Sequence, residues 1–345
     1  MSASASPDEI KQASGKLATH FGGYAATWTM DLGVRVGMFA ALRDATAGLT
    51  STELARRLEA DQVYVDVWCR NAYAAELLEQ SDGRYILQPA MAALLLDRDH
   101  PAYSSGTAMV MTALRDVFAA LRERTRTGER IWWDTAPREF VDGVSESSRS
   151  FYSRLLTFFD GRQELRQALE GGGTLLEVGV GYGGGLLRLA QRFPAARFIG
   201  TDGDEHSLGR AREAFAQAGL TDRARFVRST FEAYDEAEVA DLALINISLH
   251  EARDLPRTVA SMHRALRPGG RLVVSEFPFP PDVTALRTPP ARVMAAIQYF
   301  EASIGDQLLP TSTFVKLLEE AGLHEIETVE ITPVHVVILG RRSPG

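Results

Sequence analysis

The chain has 345 residues, 45% hydrophobic and 24% charged, with a formal net charge of −8. That length gives two packed domains, and the acidic balance argues against a protein that lives on nucleic acid or an anionic membrane. Cys69 is the only cysteine, which excludes a disulfide framework and a cysteine-based metal site. No apolar run approaches the roughly 20 residues of a membrane-spanning helix. The opening Met1-Ser-Ala-Ser-Ala-Ser-Pro7 lacks the basic start and apolar core of a signal peptide, so a cytoplasmic protein is expected.

Residues 8 to about 43 read as helix, with Leu32, Val36, Phe39, Ala40 and Leu42 as an apolar face for a core or a subunit interface. Thr50 and Glu53 form a capping-box pattern that opens a short helix. Asp61 caps a second helix over 62–79, with Val65, Trp68, Cys69, Ala72 and Leu77 inward. Ser81-Asp-Gly83 then turns the chain into a short strand over 84–87. Two helices and a hairpin spell a winged helix-turn-helix. A DNA-reading helix normally carries several Lys or Arg, whereas this one has Arg70 among Asp66, Glu76 and Glu79. A transcription factor is therefore the weaker reading. Helices follow over 89–96 and 104–123, the latter with Met109, Met111, Leu114 and Phe118 inward. A polar connection over 122–137 holds Trp132-Trp133, read as buried against a neighbouring element. A helix over 150–169 leads to Gly171-Gly-Gly173. The domain boundary is placed near 148, giving domains 1–148 and 149–345.

The second domain is organised around Thr174-Leu-Leu-Glu-Val-Gly-Val-Gly-Tyr-Gly-Gly-Gly-Leu-Leu-Arg-Leu-Ala190, a strand, a glycine loop and a helix. Such a loop lets the backbone pass close under a ligand and points helix N–H groups at it. Gly179-x-Gly181-x-x-Gly184 matches a dinucleotide fingerprint, with Asp202 at the end of the next strand, over 196–201. Glu177, inside the strand, favours the other cofactor: a carboxylate repels a pyrophosphate and suits a ligand carrying an ammonium and a sulfonium. Further short strands over 224–228, 241–247 and 271–275 alternate with helices over 204–218 and 255–266, so the sheet is mainly parallel. Leu266-Arg-Pro-Gly-Gly-Arg-Leu-Val-Val-Ser-Glu276 is a helix end, a turn and a strand, and runs over 323–331 and 334–339 close the chain.

With these motifs in this order, residues 150–342 resemble the class I S-adenosylmethionine-dependent methyltransferases. The resemblance implies a Rossmann-like α/β fold, a seven-stranded parallel sheet with an antiparallel last strand, S-adenosylmethionine as cofactor and S-adenosylhomocysteine as product. The mainly α, winged-helix first domain is similar to that of dimeric small-molecule O-methyltransferases. It implies a homodimer through that domain, with no nucleic acid and no membrane partner.

Strand ends supply the expected site. Glu177, Gly179, Gly181, Tyr182 and Gly183 follow the first strand, and Asp202 with Gly203 the second, where Asp202 can take the ribose hydroxyls. Ser229 stands where the family often has an aspartate for adenine, and Thr230, Glu232 and Phe231 can supplement it. Asn246 and Ser248 lie at the amino-acid end of the cofactor. The stretch Asn246-Ile-Ser-Leu-His250-Glu251-Ala-Arg-Asp254 resembles the one that ends in the catalytic histidine of these O-methyltransferases. His250 is thereby implied as the base that takes the proton of an acceptor hydroxyl. Glu251 and Ala252 depart from the family's aspartate and tryptophan, and the partner glutamate of plant relatives falls near Leu308. Glu251, Glu301 or Asp306 can hold His250 instead, or His250 shapes the pocket. A helix over 284–304, with Val293, Met294, Ile297, Tyr299 and Phe300, covers the acceptor, and apolar faces of this kind are commonly core. The remaining histidines lack metal-ligand spacing, and no metal is expected.

Overall fold

The structure, a computed structural model, describes residues 5–345; the first four residues of the polar leader lie outside the described residues. The chain divides into two compact units between Ala113 and Leu114. This division falls inside a helix, 35 residues before the boundary expected near 148 (148 − 113). Residues 114–148 group with the second unit.

In the first unit, α1 (Pro7–Arg35) starts at a Ser6–Glu9 capping box. Gly37, at φ 85°, breaks the helix expected over 8–43, and α2 (Met38–Arg43) follows. α3 (Ser51–Arg57) carries the Thr50–Glu53 box and α4 (Gln62–Ala74) the Asp61 cap. α4 stops five residues short of the expected 79, and Glu76 at φ 58° turns the chain away. β1 (Glu79–Ser81) pairs antiparallel with β2 (Arg84–Ile86), and α5 (Pro89–Leu96) follows. Phe39, Leu54, Val65, Trp68, Cys69 and Leu95 form the core. The Trp68 indole donates to the Thr29 carbonyl at 2.9 Å. α6 (Ser105–Thr127) spans the division; Phe118, expected inward, is exposed.

In the second unit, α7 (Arg138–Gly161) begins twelve residues before the expected start at 150, and α8 (Gln163–Glu170) follows. Then come β3 (Thr174–Val178), α9 (Gly184–Arg192), β4 (Arg197–Asp202), α10 (Glu205–Gln217), β5 (Ala224–Arg228) and β6 (Ala240–Asn246). α11 (Leu255–Ala265), β7 (Leu266–Glu276), α12 (Pro289–Ile304), α13 (Thr311–Glu320), β8 (His324–Thr332) and β9 (His335–Arg341) complete it. The sheet order is β5-β4-β3-β6-β7-β9-β8, parallel from β5 to β7, with β9 antiparallel to both its neighbours. The seven-stranded α/β fold is thus as expected.

Side chains alternate across each strand, so Leu175, Leu242 and Leu244 pack with α7 to α9 on one face. Leu176, Ala243 and Ile245 pack with α11 and α13 on the other. Glu177 shares the face of Leu175 and so points toward α7. The strand order reverses between β3 and β6, and in open α/β sheets that reversal leaves a crevice at the strand C-termini.

Candidate active site

Three glycines with positive φ make the loop after β3: Gly179 (74°), Gly181 (53°) and Gly183 (73°). The N–H groups of Gly179 and Val180 both donate to the Thr201 carbonyl at 2.9 Å, which ties the loop to β4. A Cβ on Gly179 would stand 2.7 Å from Ser248 Oγ and 3.1 Å from the Phe231 ring; one on Gly183 would stand 2.7 Å from Ala211 Cβ. One on Gly181 would meet nothing within 4 Å. The loop is therefore packed hard on two sides and open at its middle.

Asp202 closes the loop. Its Oδ2 accepts from the Gly181 N–H and its Oδ1 from the Asp204 N–H, both at 2.9 Å. Burial pushes its carboxyl above the usual range, against the pull of these backbone donors. Ser229 N donates to the Asp202 carbonyl at 3.0 Å, and Thr230 approaches Gly203. Glu232, a possible adenine partner by sequence, is instead engaged by the N–H groups of Arg253 and Asp254. The Tyr182 hydroxyl donates to Asp142 at 3.3 Å, and its ring lies beside His206. Glu177 is fully buried: Tyr152 donates its hydroxyl to Oε1, while Oε2 has no partner. Burial pushes this carboxyl up to about 8, with the Tyr152 bond opposing and Asp202 reinforcing.

His250 sits in a 3₁₀ turn after β6 and is 4% exposed. Glu276, at the end of β7, accepts from the Leu249 and His250 N–H groups at 2.8 and 3.2 Å and from Phe277 N at 3.2 Å. Both its oxygens lie 2.9–3.0 Å from His250 Nδ1. A carboxylate surrounded by donors accepts from Nδ1–H, which leaves Nε2 with its lone pair. Nε2 faces Glu301 Oε2 at 3.7 Å, an oxygen that is buried and has no hydrogen-bond partner. Burial alone would push the imidazole down; Glu276 and then Glu301 more than offset it and hold it well above its ordinary value.

Glu251 turns its carboxyl to the Trp133 indole, which donates at 2.8 Å. Burial holds that carboxyl well above its usual range, against the charge of His250. His250, Glu251 and Glu301 offer donor atoms within 4.8 Å of one another, a cluster that sequence spacing does not reveal. Trp133 itself packs with Phe140 and Phe300 at centroid distances of 6.1 and 4.9 Å.

Residues 175–270 match the family model described as a methyltransferase domain. Residues 175–270 are thus similar to a methyltransferase domain, and the fold around them is that of the S-adenosylmethionine-dependent methyltransferases. Human N-acetylserotonin methyltransferase, solved in complex with S-adenosylmethionine, superposes with a TM-score of 0.69 at 17% identity, covering 99% of this chain and all of that one. At that identity the likeness is one of fold. Among curated relatives, a Thermus thermophilus demethylmenaquinone methyltransferase is 33% identical over 108 residues, 31% of this chain and 48% of the relative. A Talaromyces variabilis S-adenosyl-L-methionine-dependent Diels-Alderase is 31% identical over 174 residues, 48% and 58% respectively. The chain thus spans about half the length of the curated relatives it matches.

The residues present fit the cofactor. The glycine crook is open only at Gly181, Asp202 stands beside it, and Glu177 keeps an unpartnered buried oxygen for a cation. S-Adenosylmethionine fits the residues present; when bound, it supplies a methyl group on positively charged sulfur.

The structure brings Gly179, Phe231 and Ser248 together, as well as Gly203 with Thr230, and places Asn246 at the end of β6. Of the three carboxylates expected beside His250, Glu301 faces Nε2 at 3.7 Å, and the structure adds Glu276 as a further partner. Glu276 holds Nδ1, whereas Glu251 is engaged by Trp133, Asp306 is ion-paired with Arg253 at 3.8 Å, and Leu308 is buried in an apolar cluster. Of the acceptor candidates, Met294 packs with Ala291 and Leu308, and Phe300 with Trp133 and Phe140. Tyr299 is half exposed and meets Phe118 edge-on at 5.3 Å. Glu276 carries no local signal; only its place at a strand end beside the crevice marks it.

Proposed function

We propose that the protein transfers the methyl group of S-adenosylmethionine to a hydroxyl of a small aromatic acceptor. The observation that carries this reading is the imidazole of His250 at the strand ends, fixed through Nδ1 by Glu276 and turned with Nε2 toward Glu301, the atom that bears the lone pair when the ring is neutral. His250 would take the hydroxyl proton of the acceptor on Nε2, and the bound cofactor would supply the methyl group. Glu301 and Glu276 stabilise the imidazolium that forms, and the Trp133–Phe140–Phe300 cluster excludes water from the reacting atoms. In this reading Gly179 to Gly183 cradle the cofactor, Asp202 takes the ribose, and Ser229, Thr230 and Phe231 the adenine. Asn246 and Glu177 take the amino-acid end, and Met294, Tyr299 and Phe300 belong to the acceptor side. The division of labour falls near 148, since every cofactor residue lies beyond it.

The first unit is read as a winged-helix dimerisation module. Ile10, Leu17, Phe21 and Tyr24 leave an exposed apolar stripe on α1, and Val63, Tyr64 and Val67 are exposed on α4, where a DNA reader carries cations. Among the described residues no helix is long and apolar enough to cross a membrane.

The experiment is titration with S-adenosylhomocysteine by calorimetry, followed by its release from S-adenosylmethionine in the presence of a panel of phenols. Binding with phenol-dependent release supports the proposal; no binding ends it. Binding without release favours a second reading, a bound cofactor used without methyl transfer, for which the printed activity of the Talaromyces relative is the motive.

A pH profile separates the roles of the two glutamates. Neutral imidazole is the active form, so kcat/KM rises with pH through a midpoint above that of ordinary histidine. In Glu276→Gln the burial effect prevails, and the midpoint is expected to fall by about 1–2 pH units, the size of one lost charge-assisted hydrogen bond. An unchanged midpoint would remove Glu276 from the mechanism.

A further inference from the structure

Behind Glu177 runs a line of buried polar groups that the chemistry above does not use. Arg154 of α7 donates Nε–H to His335 Nδ1 at 2.9 Å. That bond fixes the tautomer: Nδ1 is the acceptor, so the ring proton sits on Nε2. Nε2 lies 2.8 Å from Ser275 Oγ, which must accept there and donates its own proton to Asn246 Oδ1 at 2.7 Å. With its oxygen taken, Asn246 has only N–H to offer, and it ends β6 one position past Ile245, the register partner of Val178, beside the strand that carries Glu177. Tyr152 passes its proton-donating edge to Glu177 Oε1. His335 and Ser275 are fully buried, and burial together with Arg154 pushes the imidazole down to about 3, so it stays neutral and keeps this sense.

We propose that Arg154, His335, Ser275, Asn246 and Tyr152 form a one-way hydrogen-bond chain that turns Glu177 so that Oε2 alone faces the cofactor's aminium group. The proposal rests on the cofactor reading and adds positioning residues to it. Each donor orientation is dictated by the previous one, so the chain has one polarity from Arg154 to Glu177. A carboxyl gripped at Oε1 by a donor can hold a proton only on Oε2, the atom without a partner. An arriving ammonium therefore displaces that proton, and affinity rises with pH through the ionisation of this carboxyl, which burial pushes up to about 8 in the free protein.

Two ligands test this by calorimetry on the whole chain: S-adenosylhomocysteine, which carries the ammonium, and 5′-methylthioadenosine, which keeps the adenosine and lacks it. Tyr152→Phe and His335→Phe are expected to weaken S-adenosylhomocysteine about tenfold at pH 7 and to move its binding limb to higher pH. Methylthioadenosine should bind all of them alike. His335→Gln, whose amide can accept from Arg154 and donate to Ser275, should restore affinity to within about threefold of the parent. Should His335→Phe not fold, Ser275→Ala interrupts the same line. Equal affinities and an unmoved pH limb in folded Tyr152→Phe and His335→Phe would overturn the proposal, as would His335→Gln as weak as His335→Phe. A parent chain silent to both ligands would sink the cofactor reading itself; a parent that binds beside unaffected variants would sink only the chain.

Discussion

Replacing His250 by alanine is expected to slow methyl transfer to a phenol by about two decades or more, while S-adenosylhomocysteine binds within about twofold of the parent. The separation follows from where the imidazole stands. Its Nδ1 edge is committed to Glu276 and its Nε2 edge to the Glu301 side, and no residue of the glycine loop is bonded to it. The loss should shrink as the acceptor becomes more acidic, because a nitrophenol ionises without help. Steady-state rates across phenols of graded acidity read this directly. A uniform loss would mean that His250 orients the acceptor rather than taking its proton, and a parental rate would remove it from the chemistry.

Asp202→Ala is expected to weaken S-adenosylhomocysteine by about two decades. Two hydrogen bonds from ribose hydroxyls to a carboxylate, at about 1.5 kcal/mol each, amount to about 3 kcal/mol. The same change strips the Gly181 and Asp204 N–H groups of their acceptor, so the loop loses its brace as well as its ligand contact. Calorimetry gives the affinity, and far-ultraviolet circular dichroism checks that the fold survives. Asp202→Asn, which keeps one acceptor oxygen, should fall between the two. An alanine variant with parental affinity would mean that Asp202 serves only to brace the loop.

The sheet was legible because each central strand is a short apolar run between glycine, proline or polar punctuation, buried on both faces. Thr174–Val178 and Ala224–Arg228 fall on the expected residues, and the other strands lie within a few residues of theirs. The helices were less so. α1 and α2 read as one until Gly37 takes a left-handed conformation, and the polar start of α7 hides a helix whose buried face is Phe140 and Gly143. α13 has no counterpart in the sequence reading, although Phe314, Leu317 and Leu318 recur at helical spacing. Site residues at the motif itself were found because the chain delivers them together. The partners of His250 and Glu177 were not. Glu276 lies 26 residues from His250, Tyr152 lies 25 from Glu177, and His335 lies 60 from Ser275, separations at which only the folded sheet makes neighbours.

The placement of β9 between β7 and β8 bears on how the protein is made. Both flanking strands emerge from the ribosome before it, and β8 is joined to the sheet through β9, so β8 takes its place once β9 has been made. That strand brings His335. A nascent chain halted at residue 334 would hold the glycine loop and His250 yet lack His335 between Arg154 and Ser275, so the proposed hold on an aminium group would wait for β9.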